Sequence, residues 1–171
     1  MASLSRNDLT ISGAKEGVER VMERILVTED YMKEIEKRNE SVGKDYRIDI
    51  PEIGKLTFNR LVPTPTNIYQ GMLDANKEKN VKDNWYDWNC EHWGTKTDAY
   101  DDQIITRAAD GVLMIAFKTA WCPPFYYLEK LTQVCLEEGC VMYGYFLIET
   151  NEEGVFYIDG NELCVKLIED L

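Results

Sequence analysis

The run Gln103–Lys118, QIITRAADGVLMIAFK, decides the reading of the fold. Asp110-Gly111 is a two-residue turn signal, because such pairs adopt the left-handed turns that match strand twist. Gln103 to Arg107 and Val112 to Lys118 therefore read as the two arms of a β-hairpin. Val112 to Phe117 is almost wholly apolar, the composition of a strand buried in the middle of a sheet.

Working outward toward the C-terminus, Pro123 and Pro124 mark a helix start, since the missing N–H costs nothing in a first turn. Leu128, Leu131, Val134 and Cys135 then recur at helical spacing to about Glu138, and Gly139 ends the run. Cys140 to Glu149 predicts a long strand, Asn151 to Gly154 a turn, and Val155 to Asp159 a returning strand. The last residues, Leu163 to Leu171, suit either strand or helix.

Toward the N-terminus, Leu9 to Ser12 alternates as a short strand. Val18, Val21, Met22, Ile25 and Leu26 form the apolar stripe of a helix starting near Ala14. Thr28, followed by Glu29 and Asp30, caps a second helix to about Asn39. Leu56, Phe58 and Arg60 alternate with Thr57, Asn59 and Leu61, which predicts a second strand stopped by Pro63 and Pro65. A short helix is expected from Thr66 or Asn67 through Leu73, and a polar loop over Asn76–Asp83. Trp85, Trp88 and His92 sit at helical spacing, with Gly94 placed to end that helix.

The order is strand, helix, strand, long insertion, strand, helix, strand. It predicts a single α+β domain over residues 1–171, a ferredoxin-like split βαβ with an antiparallel sheet. A large helical insertion, about 64–102, is expected between the second and third strands.

Charge narrows the partners. The net charge is −12, and residues 86–171 hold 16 Asp+Glu against 5 Lys+Arg. Such a surface repels phosphate and anionic lipid, so direct nucleic-acid binding and membrane association are not expected. A protein partner with a basic surface is. The opening MASLSRNDLT has no apolar signal core, and five cysteines is an odd number. The expectation is a cytoplasmic protein with free thiols.

Four pieces carry a family resemblance: Leu9–Gly13 (LTISG), Asn59–Pro65 (NRLVPTP), Asn84–Asp98 (NWYDWNCEHWGTKTD) and Phe117–Pro124 (FKTAWCPP). Together they resemble the YubB-type ferredoxin-like domain of plasmid and phage proteins. The resemblance implies a ferredoxin-like fold without an iron–sulfur cluster, and a mobile-element origin. It implies no established activity and brings no catalytic residues. Thr97 stands where the pattern has tryptophan, and Lys118 where it has an acid.

Trp85 and Trp88 share a helix face and read as core. Trp93 and Trp121 flank a glycine and a proline pair and are expected to border a groove. With Lys96, Asp98, Asp101 and Asp102 they form the candidate partner-binding set, although a lysine among acids more often pairs locally. A competing class is a thiol enzyme, with Cys122 before a helix N-terminus as nucleophile and His92 as base. Cys90 and His92 form a C-x-H pair, and Cys135 and Cys140 could supply a second. The spacing matches no standard zinc pattern, and no metal or cofactor is expected. A third class is a structural homo-oligomer paired through a sheet edge.

Overall fold

The computed structural model describes residues 3–73 and 81–170. In chain order the elements are β1 (Leu4–Ser12), α1 (Lys15–Ile25), α2 (Glu29–Glu40), α3 (Phe58–Leu61), α4 (Trp85–His92), β2 (Ile104–Ala109), β3 (Val112–Ala120), α5 (Phe125–Glu137), β4 (Val141–Ile148), β5 (Glu153–Asp159) and β6 (Glu162–Leu167). The six strands make one sheet in the order β2-β3-β1-β4-β5-β6, every neighbouring pair antiparallel. The chain is thus α+β, and its C-terminal residues are a strand followed by a single 3₁₀ turn.

Alternation along the strands sorts the two faces. Leu9 and Ile11 of β1, Leu113, Ile115 and Phe117 of β3, Met142 and Phe146 of β4 and Phe156 of β5 are buried against Val18, Val21 and Ile25 of α1 and Leu128, Leu131 and Val134 of α5. Each fully buried side chain of this size contributes roughly 1.5–3 kcal/mol. The opposite face carries Arg6, Asp8 and Thr10 of β1 beside Met114, Ala116 and Lys118 of β3 and Tyr143 and Tyr145 of β4. Its residues alternate with the buried set and remain half-buried or exposed.

The hairpin forms at Asp110-Gly111, but only Gly111, at φ +79°, takes the left-handed conformation. A side chain at Gly111 would stand 2.2 Å from the carbonyl oxygen of Gly13, so only glycine lets the hairpin tip meet the end of β1.

The expected strand over Leu56–Leu61 does not form, and side chains from far along the chain explain why. Gln103 accepts from the Leu56 N–H at 2.7 Å and donates to the Leu56 carbonyl at 2.8 Å. Asp98 accepts from the Phe58 N–H at 2.7 Å. With those ladder groups taken, only an isolated bridge between Leu26 and Leu56 survives, and Phe58–Leu61 winds into α3. No strand lies between β1 and β2 among the described residues, so the long segment joins α1 to β2 instead of two later strands.

The short helix expected over Thr66–Leu73 is also absent. Tyr69 pairs with the start of α4 in a parallel bridge, its N–H donating to Asp83 O and its carbonyl accepting from Trp85 N, both at 2.8 Å. Most of the loop expected over Asn76–Asp83 lies outside the described residues.

Candidate partner-binding site

The tryptophan helix α4 starts at Asn84, whose side chain accepts from the Asp87 N–H at 3.0 Å. It ends before Gly94, at φ +80°. A Cβ at Gly94 would stand 3.0 Å from the Tyr126 nitrogen, so glycine is needed where the chain leaves α4 and meets the first turn of α5. There the Trp93 carbonyl accepts from the Tyr127 N–H at 3.2 Å, satisfying an otherwise orphaned helix-start donor.

From this junction the two most distinctive sequence pieces lock together. The Gly94 carbonyl accepts from the Cys122 thiol at 3.1 Å. Thr95 Oγ1 donates to Ala120 O at 2.6 Å. The Lys96 ammonium lies 5.1 Å from the centroid of the Trp121 ring and 5.8 Å from that of Tyr86. Thr119 Oγ1 closes the turn on Cys122 O at 2.8 Å. Gly94-Thr95-Lys96 is therefore docked on Thr119-Ala120-Trp121-Cys122.

The two tryptophans expected to border a groove part company. Trp93 is a core residue: it is buried, donates Nε1–H to Val62 O at 3.0 Å, and meets Phe58 and Trp88 edge to face at 5.6 and 5.5 Å. Trp121 is 38% exposed. Its backbone has φ +69°, a left-handed conformation costly for a bulky side chain. Its ring takes Lys96 on one contact and the edge of Tyr86, 5.9 Å away, on another. Trp88 packs as core, stacked on His92 at 4.4 Å. Trp85 is half-buried against that core.

The acids divide in the same way. The carboxylate of Asp98 turns inward, although the residue as a whole is half-buried. It accepts from Phe58 N, Ala99 N and Thr57 Oγ1, which makes it the N-terminal cap of α3 supplied from a distant segment. Burial pushes its pKa up to about 6, against the lowering pull of those hydrogen bonds. Asp98 is therefore no surface ligand for a partner. The buried hydroxyls of Tyr31 and Tyr127 lie within its electrostatic reach, and both tyrosines are shifted upward mainly by burial.

Asp101 and Asp102 are exposed. Asp101 borders a depression with Glu52 and Lys55, apart from Trp121. Asp102 pairs with Lys118, whose hydrogen bond draws the carboxyl below its usual range. Lys118 is thus matched by an acid just before the start of β2. Lys96, set among acids in sequence, is in none of the ion pairs among the described residues and sits against aromatic rings instead.

The thiol constellation does not assemble. Burial raises the Cys122 pKa, and Cys90 nearby raises it further, against the expectation of a thiol activated by a helix dipole. His92 Nδ1 lies 2.8 Å from Trp88 O and shares no hydrogen bond with Cys122 among the described residues. All five cysteines are free thiols, with Cys135 and Cys140 buried. Among the described residues no three His, Cys, Asp or Glu side chains converge as a metal cluster, and no helix is long and apolar enough to cross a membrane.

Tyr86 and Tyr126 escape notice in the sequence. Tyr86 is off the Trp85–Trp88–His92 stripe and gains meaning only when Lys96 and Trp121 arrive from elsewhere. Tyr126, 50% exposed in the first turn of α5, adjoins Gly94.

No protein-family model and no curated protein matches this chain. Its structure is similar to the crystal structure of protein Api92 from Yersinia pseudotuberculosis, of the DUF1281 family, with a TM-score of 0.60 and 10% identity over 98% of each chain. The likeness is one of fold. It extends over nearly the whole of both chains, so the segment joining α1 to β2 falls within the matched length.

Proposed function

We propose that this is a non-catalytic binding protein of a phage, plasmid or integrated mobile element, ferredoxin-like in architecture and acting in the bacterial cytoplasm. Its partner is a protein with a basic surface. Support for the architecture comes from the order β2-β3-β1-β4, in which two strand–helix–strand halves interleave. Support for binding comes from one observation above the others: Trp121 is held partly in solvent on a strained backbone, with Lys96 and Tyr86 around it, in the half of the chain that carries most of the net negative charge. Strain retained at an exposed aromatic residue is a mark of function, because folding alone would favour glycine there. Exposed tryptophan and tyrosine are the side chains that dominate protein–protein hot spots.

The division of labour follows. Trp121, with Tyr86 and Tyr126 nearby, gives contact area, and the net negative charge of the chain as a whole steers a basic partner toward the protein. Trp93 and Asp98 hold the platform in place. Pulldown from a bacterial lysate at about 50 mM and about 500 mM salt tests the reading, since a Debye length near 10 Å at 0.1 M shortens further with added salt. A specific protein recovered at low salt, weakened at high salt and lost with Trp121→Ala supports it. Recovery unaffected by both changes sinks it.

A further inference from the structure

The sheet has a second face that the helices leave bare. On it, β-register aligns Thr106, Met114, Thr10, Tyr143, Tyr157 and Cys164 in one row across all six strands. Met114 is 44% exposed, Tyr143 53% and, in the next row, Ile104 67%. Packing against α1 and α5 takes only the opposite face, and no helix covers this one among the described residues.

Charge is balanced at the centre of this face, while Asp159 and Glu162 stand at one end of β5 and β6. The protein carries −12 overall. Across the three central rows, however, Arg6, Lys118 and Lys166 face Asp8 and Glu153, with Asp102 beside Lys118 at the rim. A strongly acidic chain has thus kept a near-neutral, tyrosine-rich plane where two copies can approach without mutual repulsion.

We infer that this open sheet face is the interface of a homodimer, with two copies packed sheet to sheet. This goes beyond the partner site at Trp121, which lies at the end of β3, and beyond pairing through a sheet edge. Area permits it. Six strands about 4.8 Å apart and about 25 Å long present about 600 Å² in projection, close to the ~800 Å² per partner of a specific interface. Register permits it too. Lys118 and Glu153 stand in the same row, reached through Arg6 and Leu147. A two-fold axis running along the strands between β1 and β4 lays β3 of each copy over β5 of the other. Each Lys118 then faces the other copy's Glu153, and Met114 faces Tyr157. Asp102 and the Tyr145 hydroxyl hold Lys118 and Glu153 in place beforehand. Facing sheets pack near alignment, at about −30°, so sheet twist is compatible with this arrangement.

Sedimentation equilibrium of the full chain over about 1–200 µM tests the inference, taking ~1 µM as the affinity of a modest specific complex. The expected result is a mass twice 19.8 kDa at the upper concentrations. Tyr143→Glu with Met114→Glu should shift the dissociation constant upward at least about tenfold, ~1.4 kcal/mol, with the far-ultraviolet dichroism unchanged. A single 19.8 kDa species at every concentration overturns the proposal. So does a dimer that resists the double substitution yet is lost with Val165→Pro on edge strand β6. Should the double variant fail to fold, Tyr143→Ser read by the same concentration dependence decides between these outcomes.

Discussion

Trp93 and Trp121 are chemically identical and lie on either side of one docked junction, yet they occupy opposite environments. Trp93 is 3% exposed and bonded through its indole N–H to Val62. Trp121 is 38% exposed, and its backbone N–H donates to Ser3 O from a left-handed conformation. Asp98 and Asp102 repeat the contrast, one carboxylate enclosed as a helix cap and the other paired at the surface. The segment from α4 to β2, together with the turn after β3 that docks on it, is thus a wedge with an inward side that stabilises and an outward side that is free to recognise. Aromatic density in the sequence marks the wedge but does not say which side a residue takes.

The largest effect separates the two tryptophans directly. Trp93→Ala should lower unfolding free energy by about 3–5 kcal/mol, as truncation of a buried aromatic does. Trp121→Ala should cost less, about 1–2 kcal/mol, because more than a third of the residue is already in solvent and its removal leaves no enclosed cavity. Urea denaturation of both variants measures this. Equal losses would break the distinction between the structural and the recognition side.

The enclosed aspartate gives the next test. Asp98 has a folded pKa of about 6 against an ordinary value of 3.8. Folding therefore takes up a proton between those values, so this group favours the fold at about pH 4 and progressively less as pH rises through 6. The decline amounts to roughly 2–3 kcal/mol at about 1.4 kcal/mol per unit. Asp98→Asn keeps an acceptor for Phe58 and Ala99 while removing the charge. Its stability relative to wild type should grow by about 2 kcal/mol from pH 4 to pH 8. Taking the difference between the two proteins cancels the other carboxylates. A difference that stays flat with pH would show that the carboxylate is solvated, and the wedge would lose its buried anchor.

Legibility follows the range of the interaction. The hairpin is visible because Asp110-Gly111 acts within four residues, and α5 because its spacing and Gly139 are local. Leu56–Leu61 misleads for the converse reason. Its alternation satisfies every local rule for a strand, but Gln103 and Asp98 take its backbone groups from more than 35 residues away. Thr66–Leu73 fails likewise, since Tyr69 finds its partners at Asp83 and Trp85. At the candidate site, Lys96 and Trp121 are readable as unusual, whereas their apposition depends on Gly94-Thr95 docking at Ala120-Trp121-Cys122. Trp93 is misplaced because a helix-end position does not reveal that Phe58 and Val62 will close over it.

The smallest effect bears most on function. If φ +69° at Trp121 is strained, replacing the ring by nothing should matter less than what is left at the α-carbon. Trp121→Ala and Trp121→Gly both delete the contacts with Lys96 and Tyr86, so their difference isolates the backbone. A non-glycine residue in this region costs about 1–2 kcal/mol. The extra freedom of glycine in the unfolded chain offsets about half of that. Trp121→Gly should then exceed Trp121→Ala in stability by about 0.5–1 kcal/mol, read as a higher urea midpoint at constant slope. An alanine variant as stable as the glycine variant would mean that the turn holds a side chain at no cost. Trp121 would then be an ordinary surface residue, and the exposed side of the wedge would lose the feature that singles it out for recognition.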